Sequence, residues 1–159
     1  MPWIRKYPQL FVAKTFSKVA GLAALRLGAV IACEDSLGLV HRAMPPFPVN
    51  LAALVAAEAA LNDRATAQRY VNDVKRLRAW FATELQRLGV KTFCSGGNFL
   101  LANFGPGGPA LFQKLEKQGI LLRDRSKDIG PGFVRITIGT QPEMRLLLKS
   151  IRKEWKAPA

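Results

Sequence analysis

Thr15, Ser17 and Lys18 fall within one short stretch, TFSKVAGLAALRLG, and Arg26 follows the lysine eight residues later. Two hydroxyls and a forked guanidinium make a sensible donor set for one phosphate. The lysine adds covalent chemistry, because an amine turns nucleophilic near neutral pH when burial or a nearby cation disfavours its ammonium form. Small residues after Lys18 permit close packing, and Arg26 is within plausible reach across the turn. Taken alone, a Ser-Lys pair in a loop is ordinarily solvated. A second pair of cations, Arg123 in ILLRDRS and Arg135 in FVRITIG, lies twelve residues apart around Gly130-Pro131-Gly132. A planar fork suits carboxylate or phosphate bidentately, where lysine gives only a point charge. An edge-strand arginine with no partner motif simply faces water.

The elements that must position these residues follow from pattern. LFVAK (10–14) reads as a short buried strand, LRLGAVIAC (25–33) as a second, and EDSLGLVHRA (34–43) as a short helix. MPPFPV (44–49) forbids helix and ladder alike, so a domain boundary is expected after residue 49. Asn50 caps an alanine-rich helix, and a long connecting helix runs from about 64 to 88. Its Val71, Val74, Leu77, Phe81, Leu85 and Leu88 form one apolar stripe, and Gly89 ends it. VKTFC (90–94), NFLLANF (98–104), ILLR (120–123) and FVRITI (133–138) read as strands. Pro109 opens a helix through Gln118, and Thr140-x-x-Glu143 starts the last one as a capping box. Residues 50–159 thus form an α+β unit with its helices on one face.

Composition narrows the classes. The 159 residues are 49% hydrophobic, with no apolar run near the roughly 20 residues of a spanning helix, so no membrane role is expected. Cys33 and Cys94 read as two buried free thiols in a reducing cytoplasm. His41 is the sole histidine and sits at a helix end, so no metal site is expected. The formal charge of +13 suggests either an anionic partner or a chain that is part of a larger, better balanced protein. The basic residues are spread along the chain without a nucleic-acid signature, which leaves nucleic acid a secondary reading.

The stretch KTFSKVAGLAALRLGAVIA resembles the cofactor-lysine segment of fold-type I pyridoxal-phosphate aminotransferases, T-x-S-K followed by G-L-A-G-x-R-x-G. PPFPVN, the helix ending in LGV, GGNFLLANF, GILLRDRS and VRITIGT follow in the same order, a series most similar to histidinol-phosphate aminotransferases. The resemblance implies an α/β fold of the pyridoxal-phosphate transferase type. Residues 1–49 would be the end of the large cofactor domain, and 50–159 a complete small α+β domain. It makes Lys18 the catalytic Schiff-base lysine and matches Thr15, Ser17 and Arg26 to the positions holding the phosphate of pyridoxal 5′-phosphate. Arg135 matches the arginine gripping the substrate α-carboxylate, Arg123 the one binding the distal phosphate of histidinol phosphate, and Asn98 an asparagine near the substrate.

The implied reaction moves an amino group between histidinol phosphate and 2-oxoglutarate in histidine biosynthesis, in a cytoplasmic homodimer. Relatives acting on aromatic amino acids, or decarboxylating cobalamin precursors, share much of the series. A non-catalytic basic remnant is the reading from another class. Two departures matter. Ala24 replaces the second glycine, and the residues that would bind the cofactor ring are missing, so the chain by itself is expected to be inactive.

Overall fold

The computed structural model describes residues 2–94 and 96–156; Ser95 and the Cys94 side chain, expected to be a buried thiol, lie outside the described residues. Cα packing divides the chain into two units, Met1–Tyr70 and Val71–Ala159. The division falls inside the long helix and not at the proline run. Residues just beyond the prolines stay with the first unit because Ala53 and Ala57 bury themselves against Leu27, with Phe16, Leu25 and Val49 alongside.

The first unit begins with a helical turn, α1 (Trp3–Lys6), which the sequence pattern does not reveal. Strands β1 (Val12–Thr15) and β2 (Gly28–Ile31) pair antiparallel as an isolated hairpin, Val12 opposite Ile31 and Thr15 opposite Gly28. Both strands are shorter than expected and neither is buried. Leu10 is held in a turn by donating to the Tyr7 carbonyl (3.0 Å), and a 3-10 turn at Ala23–Leu25 followed by left-handed Arg26 delays the second strand.

Helix α2 (Glu34–Ala43) spans the expected residues, with His41 in its last turn. Cys33, expected to be buried, is half-buried, and its thiol donates to the Pro8 carbonyl at 3.3 Å. Helix α3 (Leu51–Asn62) is capped by Asn50, whose side chain accepts from Ala53 N at 2.8 Å.

Helix α4 (Arg64–Arg87) carries the stripe into the second unit, where Val74, Leu77, Phe81 and Leu85 are buried. A four-stranded antiparallel sheet follows: β3 (Lys91–Cys94), β4 (Phe99–Asn103), β5 (Arg123–Asp124) and β6 (Phe133–Thr137), ordered β3-β4-β6-β5. Leu100, Ala102, Val134 and Ile136 point from the central strands into a core completed by α4, α5 (Gly108–Lys117) and α6 (Gln141–Glu154). Alternation with period 2 explains why the intervening residues, including Arg135, emerge on the opposite face.

Only Arg123 of the expected 120–123 strand joins the sheet. Ile120 instead donates back to the Leu115 carbonyl (2.9 Å) past Gly119 at φ 77, which turns the chain out of α5. The Glu84 carboxylate accepts from both Arg87 and Arg152, tying α4 to α6. Among the described residues no helix is long and apolar enough to cross a membrane.

Helix α6 starts in the expected capping box, the Thr140 hydroxyl and the Glu143 carboxylate each accepting from the other residue's backbone N–H. Glu143 accepts from the Thr140 backbone N–H (2.6 Å) and from its hydroxyl (2.7 Å), which holds the Glu143 carboxyl below the usual carboxylate range. The hydroxyl bond is the larger cause. A depressed folded-state pKa contributes stability above the unfolded value, lost as pH falls through the folded one. Acidification below about pH 4 should therefore fray the start of α6. In Glu143→Gln that acid-dependent step should vanish from the melting temperature measured against pH.

Candidate active site

The loop between β1 and β2 places the first group. Thr15 ends β1, and its Oγ1 accepts from the Ser17 N–H at 3.1 Å, which starts the turn. Lys18 follows on the turn and is exposed, with its carbonyl accepting from Gly21 N at 3.1 Å. Leu22 then donates back to the Phe16 carbonyl (3.1 Å), closing a tight loop around the lysine. The sequence reading set Lys18 after a buried strand; in this chain β1 exposes Ala13, Lys14 and Thr15.

Arg26 is the described non-glycine residue with positive φ (54°). A left-handed non-glycine residue costs roughly 1–2 kcal/mol. The strain is held by its surroundings: its guanidinium donates to the Ala23 carbonyl (2.9 Å), and the next residue, Leu27, is buried. Asn50 Nδ2, besides capping α3, reaches the Leu25 carbonyl at 3.4 Å. Strain of this kind collects at functional sites, where the surrounding structure overdetermines it. Two hydroxyls, one amine and one guanidinium thus share a single hairpin loop.

The second group lies in the other unit. Arg123 of β5 stands directly opposite Arg135 of β6. Opposed side chains on a ladder have Cβ atoms about 4.5–5.5 Å apart, and like charges there repel. Among the described residues neither arginine has a carboxylate partner, whereas Arg125 is paired with Asp128 at 3.1 Å. Arg135 does lie over the Phe99 ring, 5.5 Å from its centroid. Both arginines line a groove of 590 Å³ shared with Thr137, Glu143 and apolar residues of 120–122 and α6. An anion between two opposed guanidinium groups exchanges their repulsion for charge-assisted hydrogen bonds.

Thr137 was not singled out from sequence, and Glu143 only as a helix cap. Two-residue spacing from Arg135 puts Thr137 on the same strand face, a signal available in advance. Glu143 is masked by its role as a cap. Asn98 is half-buried just before β4, and its carbonyl accepts from Ile138 N at 2.9 Å. The neighbouring Gly97 carbonyl accepts from Arg78 of α4, which pins the turn that carries Asn98. The structure therefore groups Thr15, Ser17, Lys18 and Arg26 on one loop of the first unit, and Arg123 with Arg135 on one ladder of the second. Asn98 enters neither group.

Residues 1–151 match the family model described as aminotransferase class I and II. The chain belongs to that family. The chain is 35% identical over 157 residues to histidinol-phosphate aminotransferase 1 of Cupriavidus pinatubonensis, covering 97% of itself and 42% of that relative. It therefore spans less than half the length of the curated relatives it matches. Among solved structures, L-threonine-O-3-phosphate decarboxylase from Porphyromonas gingivalis is similar with a TM-score of 0.83 and 29% identity, covering 96% of this chain and 48% of that one. Histidinol-phosphate aminotransferase from Clostridium acetobutylicum reaches a TM-score of 0.87 at 22% identity over 96% of this chain and 47% of that one, a likeness of fold.

Proposed function

We propose that this aminotransferase chain supplies the lysine, phosphate and anion sites of a pyridoxal-phosphate enzyme exchanging an amino group between histidinol phosphate and 2-oxoglutarate. The opposed, unpaired Arg123 and Arg135 carry the substrate part of this reading. Thr15, Ser17 and Arg26 fit the cofactor phosphate by the chemistry of their donors, and Lys18, on the same loop, offers the amine. Bound there, pyridoxal phosphate supplies the conjugated ring that takes up electrons from the substrate carbon. Lys18 Nζ holds the cofactor between turnovers and, once free, takes the proton from the substrate Cα.

Arg135 grips the carboxylate of 2-oxoglutarate and of the glutamate formed from it. Arg123 binds the phosphate of histidinol phosphate, and the second carboxylate of the dicarboxylic substrate. The complete enzyme is a cytoplasmic homodimer in this proposal, with Asn98 near the substrate. A second reading, a decarboxylase of a phosphorylated amino acid, takes its support from the similarity to the Porphyromonas protein. It keeps Arg123 as the phosphate ligand and differs in releasing carbon dioxide instead of a 2-oxo acid exchange product.

The test uses the chain joined to the part of its relatives that it does not span. Removing a charge-assisted donor costs about 1.5–3 kcal/mol, roughly ten- to a hundred-fold in kcat/KM. Arg123→Ala should lower kcat/KM for histidinol phosphate by that factor, with phenylalanine as amino donor nearly unaffected. Equal losses for the two donors would remove the phosphate role and favour an aromatic aminotransferase. Carbon dioxide as the main product would favour the decarboxylase.

A further inference from the structure

Arg135 reaches the open face of the four-stranded sheet with its fork unoccupied. Among the described residues it makes no side-chain hydrogen bond or ion pair, and the interaction it does make is with the Phe99 ring, whose centroid lies 5.5 Å from its Cζ. On the ladder Phe99 stands opposite Thr137 and Leu101 opposite Arg135, so ring and guanidinium are diagonal neighbours on the face away from the core. The two are held unequally. Phe99 is half-buried, and the chain before it is fixed twice: the Asn98 carbonyl accepts from Ile138 N (2.9 Å), and the Gly97 carbonyl accepts from Arg78. Arg135 is exposed and stands opposite the like charge of Arg123. A long exposed side chain in that position samples many rotamers, and binding an anion must remove that freedom.

We infer that Phe99 is a positioning residue for carboxylate binding: its ring holds the Arg135 guanidinium at the groove before 2-oxoglutarate arrives. A ring suits this task better than an acidic partner. It attracts the cation and takes none of its N–H donors, so the fork stays available to both oxygens of an incoming carboxylate. Arg125 shows the other arrangement, its Nε already committed to the Asp128 carboxylate at 3.1 Å. The inference rests on the proposed function in one respect, that Arg135 grips the carboxylate of 2-oxoglutarate. Histidinol phosphate has no carboxylate and is assigned to Arg123 in that reading. The effect of Phe99 therefore falls on one half-reaction.

Two measurements test this. The first is NMR of the full chain by itself. The Arg135 side-chain protons should be shifted upfield by the ring, and Phe99→Leu should return them to the range of exposed arginines such as Arg145. The second is steady-state kinetics of the chain joined to the part of its relatives that it does not span. Phe99→Leu should lower kcat/KM for 2-oxoglutarate about two- to five-fold, the strength of an exposed cation–π pair, through KM with kcat kept. For histidinol phosphate kcat/KM should stay at the parent value, and Phe99→Tyr, which retains a ring, should behave as the parent. In an Arg135→Gln background, Phe99→Leu should have no further effect.

Arg135 protons without the ring shift in the parent chain would overturn the inference. So would equal losses for the two substrates, or a loss from Phe99→Leu that persists beside Arg135→Gln, each the mark of a damaged strand. Full activity toward 2-oxoglutarate in Arg135→Gln would overturn the proposed carboxylate role, and the inference with it. A large loss in Arg135→Gln with none in Phe99→Leu would overturn the inference alone.

Discussion

Lys18→Ala, in the chain joined to the part of its relatives that it does not span, is expected to lower kcat by roughly ten-thousand-fold or more. A positioned proton-transfer group alone contributes about 10²–10⁴-fold, and the same substitution removes the amine that holds the cofactor. The measurement is steady-state transamination, followed by cofactor content after gel filtration. The substitution sits on an exposed turn, so the thermal stability of the protein should hardly change. That dissociation matters, because activity lost together with stability would indicate only a damaged hairpin. Lys14, on β1 and also exposed, is the internal control, and Lys14→Ala should keep most of the rate.

Gly132→Ala carries the largest expected effect on folding. Gly132 has φ 80, and a Cβ added there would sit 2.0 Å from the Gly105 carbonyl oxygen and 2.5 Å from its nitrogen. Left-handed strain and overpacking each cost about 1–3 kcal/mol, so destabilisation on the order of 3 kcal/mol is expected. The contact is not idle packing. The Gly132 carbonyl accepts from Phe104 N (2.9 Å) and its N–H donates to Ser126 (3.1 Å), clamping the loop that joins Arg123 to Arg135. Urea denaturation of the second unit should show the loss. A stability equal to wild type would mean that the Gly105–Gly108 turn moves aside freely, and that the arginine ladder has no such clamp.

How much of this was legible follows from which forces are local. The Asn50 cap, the α4 stripe and the Thr140–Glu143 start of α6 each depend on residues within one or two turns, and their types are readable from sequence. Strands depend on partners far along the chain. Leu10 and Phe11 look like strand residues, yet the Tyr7–Leu10 turn takes the Leu10 N–H; Ile120 does, yet its N–H returns to α5. The pairing of Arg123 with Arg135 is a register, which their twelve-residue spacing around Gly130-Pro131-Gly132 does not give. The left-handed Arg26 has no sequence signal at all, since glycine is the residue that such a position ordinarily selects. Exposure of β1 was hidden for another reason: apolar composition reports the surroundings a strand is suited to, and in this chain alone those surroundings are not supplied.

The claim that Lys18 is the covalent cofactor residue has one direct measurement. The chain joined to the part of its relatives that it does not span is incubated with pyridoxal phosphate, reduced with borohydride, digested and mapped by mass spectrometry. The account predicts a pyridoxyl mark on the peptide containing Lys18, close to one per chain, and its loss in Lys18→Ala. A mark found mainly on Lys14, or spread over surface lysines such as Lys75 and Lys114, would contradict it.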